Sequence, residues 1–220
     1  MPLRVLARLS NPISNDYWYL NTMNIPSMRA LITSILLISA LLATTAYART
    51  KYVGNEACIQ CHKKEGLSWS KRSHAKAFES LKAGKRKVAK KRAGLDPDKD
   101  YTTDKLCLRC HTTGYRKPGG YKSAEKTPKM KGVGCEACHG AGSKYRKLHD
   151  DKPNFTKDEA KAAGELYADN DPVMCKNCHI HKDQIFTEKI DKKYKYDYIE
   201  AIKNRKGLHD KFKKKYSFGF

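Results

Sequence analysis

The sequence has little apolar material for a chain of its length. Apolar residues make up 40% of the 220 positions, and 45 basic against 23 acidic residues give a formal net charge of +22. So polar a chain tends towards disorder unless something else supplies apolar mass. We therefore do not expect a large core built from side chains alone, and a bound apolar group is a natural source of the missing mass.

Long apolar runs are equally scarce, and the clearest one lies near the N-terminus. Residues 30–46 form this run after Arg29, and Ala46 and Ala48 occupy the small-residue positions of an A-x-A cleavage site. This arrangement is typical of a secretory signal peptide. The run falls a little short of a full membrane span, which favours cleavage over anchoring.

The polar stretch before this run is unusual for a signal peptide. Translation from Met28 would leave a compact signal without it. We predict that residues 1–48 are a leader that is removed, and that residues 49–220 form one domain that is soluble after cleavage and exported to the periplasm.

No cysteine lies outside a single repeated motif. The sequence C-x-x-C-H occurs four times and uses every cysteine of the chain: Cys58, Cys61 and His62; Cys107, Cys110 and His111; Cys135, Cys138 and His139; Cys175, Cys178 and His179. An even number of cysteines in an exported protein would ordinarily suggest disulfides, and paired C-x-x-C motifs suggest Cys₄ zinc sites or thioredoxin-like redox pairs. None of these requires a histidine after the second cysteine, and four such coincidences have a probability on the order of 10⁻⁶ under random placement.

Covalent attachment of haem explains every position of the motif. Two thiols add to the two vinyl groups of the porphyrin, and the next histidine lies under the iron as its proximal ligand. Four motifs therefore predict four covalently bound haem c groups. With so few residues per haem, the porphyrins must form much of the core and lie nearly in contact. The motifs are irregularly spaced, which favours one compact domain over a repeat array.

Second axial ligands must come from the residues outside the motifs. Three histidines are candidates because haem c in electron carriers usually has two strong ligands: His74, His149 and His209. The spacing suggests that His74 and His149 each serve a haem other than the one that precedes them. Met130 fits packing better than ligation. His181, two positions after His179, cannot cross to the opposite face of the same haem, so it either reaches a neighbouring haem or faces solvent and a propionate.

Longer stretches of the chain resemble a known family. They include "HAKAFESLKAG", "GLDPDKDYTTDKLCLRCH", "GVGCEACHGAG" and "YKYDYIEAIKNRKGLH". Together they are similar to the tetrahaem cytochrome c-554 family of ammonia-oxidising bacteria. The resemblance implies a mainly α fold, a compact multihaem cytochrome with haems in stacked pairs and little sheet.

The resemblance also implies which histidines share a haem. By position, His149 would complete the haem of His62, His74 that of His139, and His209 that of His179. The haem on His111 would then lack a sixth protein ligand. His181 belongs to a segment, "CHIHKDQIF", where this chain departs from the family.

The family's role is to accept electrons from hydroxylamine oxidoreductase during nitrification and to pass them towards membrane-bound cytochrome c and quinone. Basic runs such as residues 82–94 would attract acidic redox proteins of this kind. Nucleic acid is an improbable partner outside the cytoplasm. The resemblance implies an electron carrier rather than a dedicated enzyme; the alternative is reduction of nitric oxide or another small nitrogen oxide at an open haem on His111.

Overall fold

The computed structural model describes residues 50–152, 154–167, 172–205 and 207–212. The chain divides into two units, Met1–Ala48 and Arg49–Phe220, and all described residues belong to the second. The predicted leader lies outside the described residues, so its cleavage and export stay predictions.

Short helices joined by turns make up the described chain. Its α-helices, numbered in chain order, are α1 Asn55–Ile59, α2 Lys63–Ser70, α3 Lys87–Arg92, α4 Lys105–His111, α5 Cys135–His139, α6 Tyr145–Asp151, α7 Lys157–Ala162, α8 Val173–His179 and α9 Tyr198–Asn204. Three 3₁₀ turns lie between them, at Phe78–Leu81, Pro128–Met130 and Lys192–Tyr194. Strand pairing within the described residues is limited to one isolated antiparallel bridge between Thr112 and Lys131. The predicted mainly α fold with little sheet is confirmed.

Side-chain caps fix where several of these helices begin. Asp104 accepts hydrogen bonds from the backbone N–H groups of Leu106 and Cys107, so α4 begins just before the second motif. Thr156 and Glu159 form a reciprocal capping box at α7. Helices this short are marginal alone, so tertiary contacts must hold them.

A small side-chain core lies around the second motif. It consists of Phe78, Leu81, Tyr101, Leu108, Tyr121 and Met130. Met130 is fully buried in this cluster, so it packs as predicted. Leu108 belongs to the second motif itself, and the core therefore supports the helix that carries it.

None of the helices in the described ranges is long and apolar enough to cross a membrane.

Candidate haem sites

Each C-x-x-C-H motif lies on a short helix or at its end. The first begins at Cys58 within α1 and ends at His62, the N-cap of α2, and the second, third and fourth lie on α4, α5 and α8. Residues three and four positions apart share one face of a helix. The two sulfur atoms and the imidazole of each motif therefore project to the same side, as attachment to one macrocycle requires. All eight cysteines are free of disulfide bonds.

Cysteines of different motifs lie in contact. The side chains of Cys58 and Cys135 form a hydrogen bond that lowers the pKa of Cys58. Cys110 and Cys178 are paired in the same way, and their hydrogen bond lowers the pKa of Cys110 to about 7. The first motif thus adjoins the third, and the second adjoins the fourth.

Contacts between the helices that carry the motifs join these two pairs of motifs into a single row. Helix α1 contacts α5, α5 contacts α8, and α8 contacts α4. At the middle contact, Cys138 is buried close enough to Cys175 for the two sulfur groups to interact, and burial raises the pKa of Cys138 to about 11. In space the motifs therefore follow the order first, third, fourth, second.

A buried carboxylate joins the first and third motifs. Glu136 lies inside the third motif and is only 1% exposed. Its oxygens accept hydrogen bonds from the backbone N–H groups of Val53 (2.9 and 3.0 Å), Gly54 (2.7 Å) and Gly142 (2.7 Å). A buried carboxylate needs such donors, because an unpaired buried charge is costly. Glu136 therefore fixes the segment that leads into α1.

A second hydrogen bond joins the first and third motifs, and here the third motif supplies the donor. The backbone N–H of Cys135 donates to Oδ1 of the buried Asn55 (2.9 Å). A Cβ atom at Gly134 would lie 2.1 Å from this oxygen, so only glycine fits there. The first and third motifs are thus held in register by groups from both.

The contact between the second and fourth motifs is more exposed. Arg109, inside the second motif, lies 3.9 Å from a carboxylate oxygen of Asp183, and about half of each side chain is exposed. Asp183 also lies 3.5 Å from the Nδ1 atom of His181. An exposed ion pair such as Arg109–Asp183 adds little to the free energy of unfolding.

The imidazole of His111 is oriented by the 3₁₀ turn Phe78–Leu81 and the residue before it. Its Nδ1 atom donates to the carbonyl oxygen of Ala77 (2.7 Å) and lies 3.1 Å from the hydroxyl of Ser80. Because the Nδ1 proton is used in this way, Nε2 keeps its lone pair. A hydrogen bond of this type orients a metal-binding imidazole and raises its donor strength.

Two candidate distal histidines have the same arrangement. Nδ1 of His149 faces the carbonyl oxygen of Tyr145 (2.6 Å), and Nδ1 of His209 faces that of Asp210 (2.7 Å). In both rings the hydrogen bond is made by Nδ1, and Nε2 is the nitrogen that would bind a metal. His149 also packs against Phe155, with ring centroids 4.2 Å apart.

Burial keeps several of the imidazoles in the neutral form that binds iron. It lowers the pKa of His111 and His139, and it lowers the pKa of His179 to about 4. The pKa of His74 is lowered by burial as well, although a hydrogen bond with the Gly207 backbone opposes the shift. Neutral imidazole is the ligand form of histidine.

Two pairs of histidine rings have the separation expected for ligands of one iron. His74 and His179 have centroids 5.9 Å apart, and those of His139 and His209 are 6.3 Å apart. With metal–nitrogen bonds of about 2 Å, two imidazoles on opposite sides of one iron have centroids roughly 6 Å apart. Both pairs fit this distance.

The ring contacts can be compared with the assignment that the resemblance implied, which stays a prediction because centroid distances do not identify the two ligands of one iron. That assignment places His74 with His139 and His209 with His179, and the ring contacts in the structure are His74 with His179 and His139 with His209. The third and fourth motifs adjoin each other, so the position of each distal ring depends on tertiary packing. The close approach of Gly207 to the His74 ring is part of that packing.

His181 differs from His149 and His209, the other histidines outside the motifs with a hydrogen bond at Nδ1, because its Nδ1 atom is an acceptor. Its Nδ1 atom accepts from the backbone N–H of Asp183 (3.1 Å), which places the ring proton on Nε2. Binding of Nε2 to iron would require this proton to move to Nδ1 and the hydrogen bond from Asp183 to break. In the described part of the chain, the histidine ring pairs also include no partner for His111.

The donor set fits covalent haem c. Thiols and imidazoles project together from each motif, and large apolar side chains beside the motifs are exposed and suited to line a porphyrin, at Leu106 (62%), Val173 (57%) and Ile180 (57%). Over the described ranges, no three Cys, His, Asp or Glu side chains converge to hold a bare metal ion. The ligation by His62 and His149 stays a prediction, as does the stacking of the haems.

Sequence reasoning did not find three residues that organise the sites: Asn55, Ser80 and Glu136. Their partners lie far along the chain; Glu136, for example, bonds to Val53, 83 positions away. The only local signal was the acidic residue inside "CEACH", which could not be distinguished from an exposed one.

Comparisons with known proteins find relatives in both sequence and fold. The family model described as cytochrome c554 and c-prime matches residues 57–140. Cytochrome c-554 of Nitrosomonas europaea is 34% identical over 210 residues, which cover 84% of this chain and 88% of that protein. The solved structure of reduced cytochrome c554 from the same organism superimposes with a TM-score of 0.68, covering 76% of this chain and 89% of that one.

Proposed function

The chain belongs to the cytochrome c-554 family, and from that membership we propose that it is a periplasmic tetrahaem electron carrier. We propose that it accepts electrons from hydroxylamine oxidoreductase and passes them towards membrane-bound cytochromes and quinone. Family membership implies covalently bound haem c; the number four rests on the four motifs.

The observation that carries this proposal is the continuous row of motifs. Contacts between cysteines of neighbouring motifs would place four haems close to one another, in the order first, third, fourth, second. Haem iron supplies a reversible one-electron exchange between its ferric and ferrous states. A row of adjacent one-electron centres suits transfer through the protein.

The histidine pairs favour transfer over catalysis at two of the positions. The rings of His74 and His209 lie close to those of His179 and His139, so these two distal histidines would fill the second axial positions of the third and fourth haems under either pairing. An iron with two strong ligands has no open position for a substrate, so it exchanges electrons only.

Reductive titration of the haem-loaded protein tests the proposal. We expect four covalently bound haems by mass, each accepting one electron, and rapid reduction by hydroxylamine oxidoreductase in the presence of hydroxylamine. Fewer haems would contradict the tetrahaem assignment. Four haems that hydroxylamine oxidoreductase reduces no faster than an unrelated donor would contradict the partner.

A second candidate function is binding and reduction of a small nitrogen oxide at the haem on His111. The hydrogen bond of His181 favours it, because filling the sixth position through Nε2 would break that bond and move the ring proton to Nδ1. An open iron there would accept nitric oxide.

Electron paramagnetic resonance of the oxidised protein and of His181→Ala separates the two outcomes. A high-spin ferric signal that is the same in both proteins would show that the haem on His111 is open. A signal that appears only in the variant would identify His181 as the missing ligand and leave a pure electron carrier.

A further inference from the structure

The strongest basic feature of the described chain adjoins the second motif. Residues 80–95 contain seven cations and no acidic residue. Six of these cations are exposed on and before α3: Lys82, Lys85, Arg86, Lys87, Lys91 and Arg92. We call them, together with the exposed Val88, the α3 surface.

Half of these cations are already paired. Lys82 binds Glu79 (2.6 Å), Lys87 binds Asp98 (2.7 Å) and Arg92 binds Asp191 (2.5 Å). The other three, Lys85, Arg86 and Lys91, have no carboxylate partner among the residues that the structure describes. Their charge is available to an incoming protein.

An apolar residue lies among these charges. Val88 is 66% exposed at the second position of α3. Transient interfaces combine a small apolar centre with a polar, charged rim. The α3 surface has this composition, and an acidic partner with an apolar contact would be complementary to it.

The α3 surface is tied directly to the second motif. Lys90, on the inner side of α3, is 4% exposed and donates to the carbonyl oxygen of Lys82 (2.7 Å). The Lys90 ammonium also lies 5.0 Å from the ring centroid of Tyr101, a core residue of the cluster that contains Leu108 of the second motif. Helix α3 therefore packs against the core that supports this motif.

The segment just before the α3 surface contacts the proximal ligand itself. Ala77 and Ser80 hold the imidazole of His111, and the 3₁₀ turn that includes Ser80 leads directly into Lys82. The second motif also stands at one end of the row of motifs. A protein on the α3 surface would thus be next to a terminal haem.

We propose that the α3 surface is the docking site for an acidic one-electron redox protein, and that electrons are exchanged there with the haem of Cys107, Cys110 and His111. In each transfer one electron leaves the donor, which is oxidised, and one ferric iron becomes ferrous. No bond is formed or broken. This inference rests on the electron-carrier function proposed above and adds the surface and the terminal haem.

Flavodoxin hydroquinone, an acidic one-electron donor, is a suitable probe for the haem-loaded protein. The test variant is Lys85→Gln/Arg86→Gln/Lys91→Gln. The matched control, Lys63→Gln/Lys64→Gln/Lys71→Gln, removes the same charge from exposed lysines beside the first motif, at the opposite end of the row. Unchanged haem absorption and circular dichroism establish that both variants fold.

We expect the α3 variant to be reduced about tenfold more slowly than the unsubstituted protein at low ionic strength, and the control to be nearly unaffected. The difference should disappear at high salt, where charges are screened. Equal slowing of both variants would show that only net charge matters, and slowing of the control alone would place the docking site at the first motif. Either result overturns the inference.

Failure of the electron-carrier proposal gives a different result. In that case the unsubstituted protein itself would accept no electrons from the flavodoxin, although dithionite would still reduce its haems.

Discussion

The first and third motifs meet over a buried polar network, whereas the second and fourth meet beside an exposed ion pair. At the first junction, the side chains of Glu136 and Asn55 accept hydrogen bonds from four backbone N–H groups. At the second, Arg109 and Asp183 are 3.9 Å apart and about half exposed. A buried network fixes one geometry because each unmade hydrogen bond is costly, while an exposed pair tolerates movement.

The second motif is stabilised from another direction. Its helix packs in the side-chain core through Leu108, and its histidine is held by Ala77 and Ser80. The first and third motifs are therefore held by contacts with each other. In the other pair, the second motif is held mainly by contacts with the rest of the chain. Substitutions at the two junctions should differ accordingly.

The largest effect should come from Glu136→Ala. Loss of this carboxylate leaves three backbone N–H groups without an acceptor, which should lower the free energy of unfolding by about 4 kcal/mol. Denaturant unfolding of the haem-loaded protein measures it. The exposed Glu125→Ala is the matched control and should leave stability unchanged; a similar small change in both would show that the network contributes nothing.

A smaller loss should follow Asn55→Ala. The backbone N–H of Cys135 then loses its buried acceptor, at a cost of about 2 kcal/mol. The same unfolding experiment measures this loss, with the exposed Asn154→Ala, outside every motif, as control. A loss as large as that of Glu136→Ala would mean that the two residues act as one unit.

The third expected effect is on reduction potential. A negative charge at Glu136 favours ferric over ferrous iron in the two haems nearest to it, those of the first and third motifs. Glu136→Gln should shift their reduction equilibria towards the ferrous state by about tenfold, or 59 mV for one electron. Spectroelectrochemical titration should find two haems shifted and two unchanged; a uniform shift of all four would contradict this local effect.

The smallest effect should come from Arg109→Ala. The Arg109–Asp183 pair is exposed, so its loss should cost at most about 0.5 kcal/mol. Thermal unfolding of the haem-loaded protein, alongside the Asp183→Ala variant, tests this. If the free energy of unfolding fell as much as in Asn55→Ala, the exposed junction would contribute as much stability as the buried one, which would contradict the prediction.

Much of the site could be predicted from local patterns. The motif residues lie within five positions of one another, so their chemistry was evident without a fold. The helical class followed from the resemblance, and the packing role of Met130 from its context. The roles of Glu136, Asn55 and Ser80 could not be predicted, because each depends on a partner from another segment.

The sequence by itself determined where haem is attached and which histidines remain as candidate ligands, because those properties belong to short stretches of chain. Only the tertiary structure decided that the motifs follow the order first, third, fourth, second, and that the His74 ring lies close to that of His179 and the His209 ring close to that of His139. The third and fourth motifs are neighbours, and spacing along the chain does not distinguish between two adjacent positions. Packing of the distant segments that carry the two distal rings makes that choice.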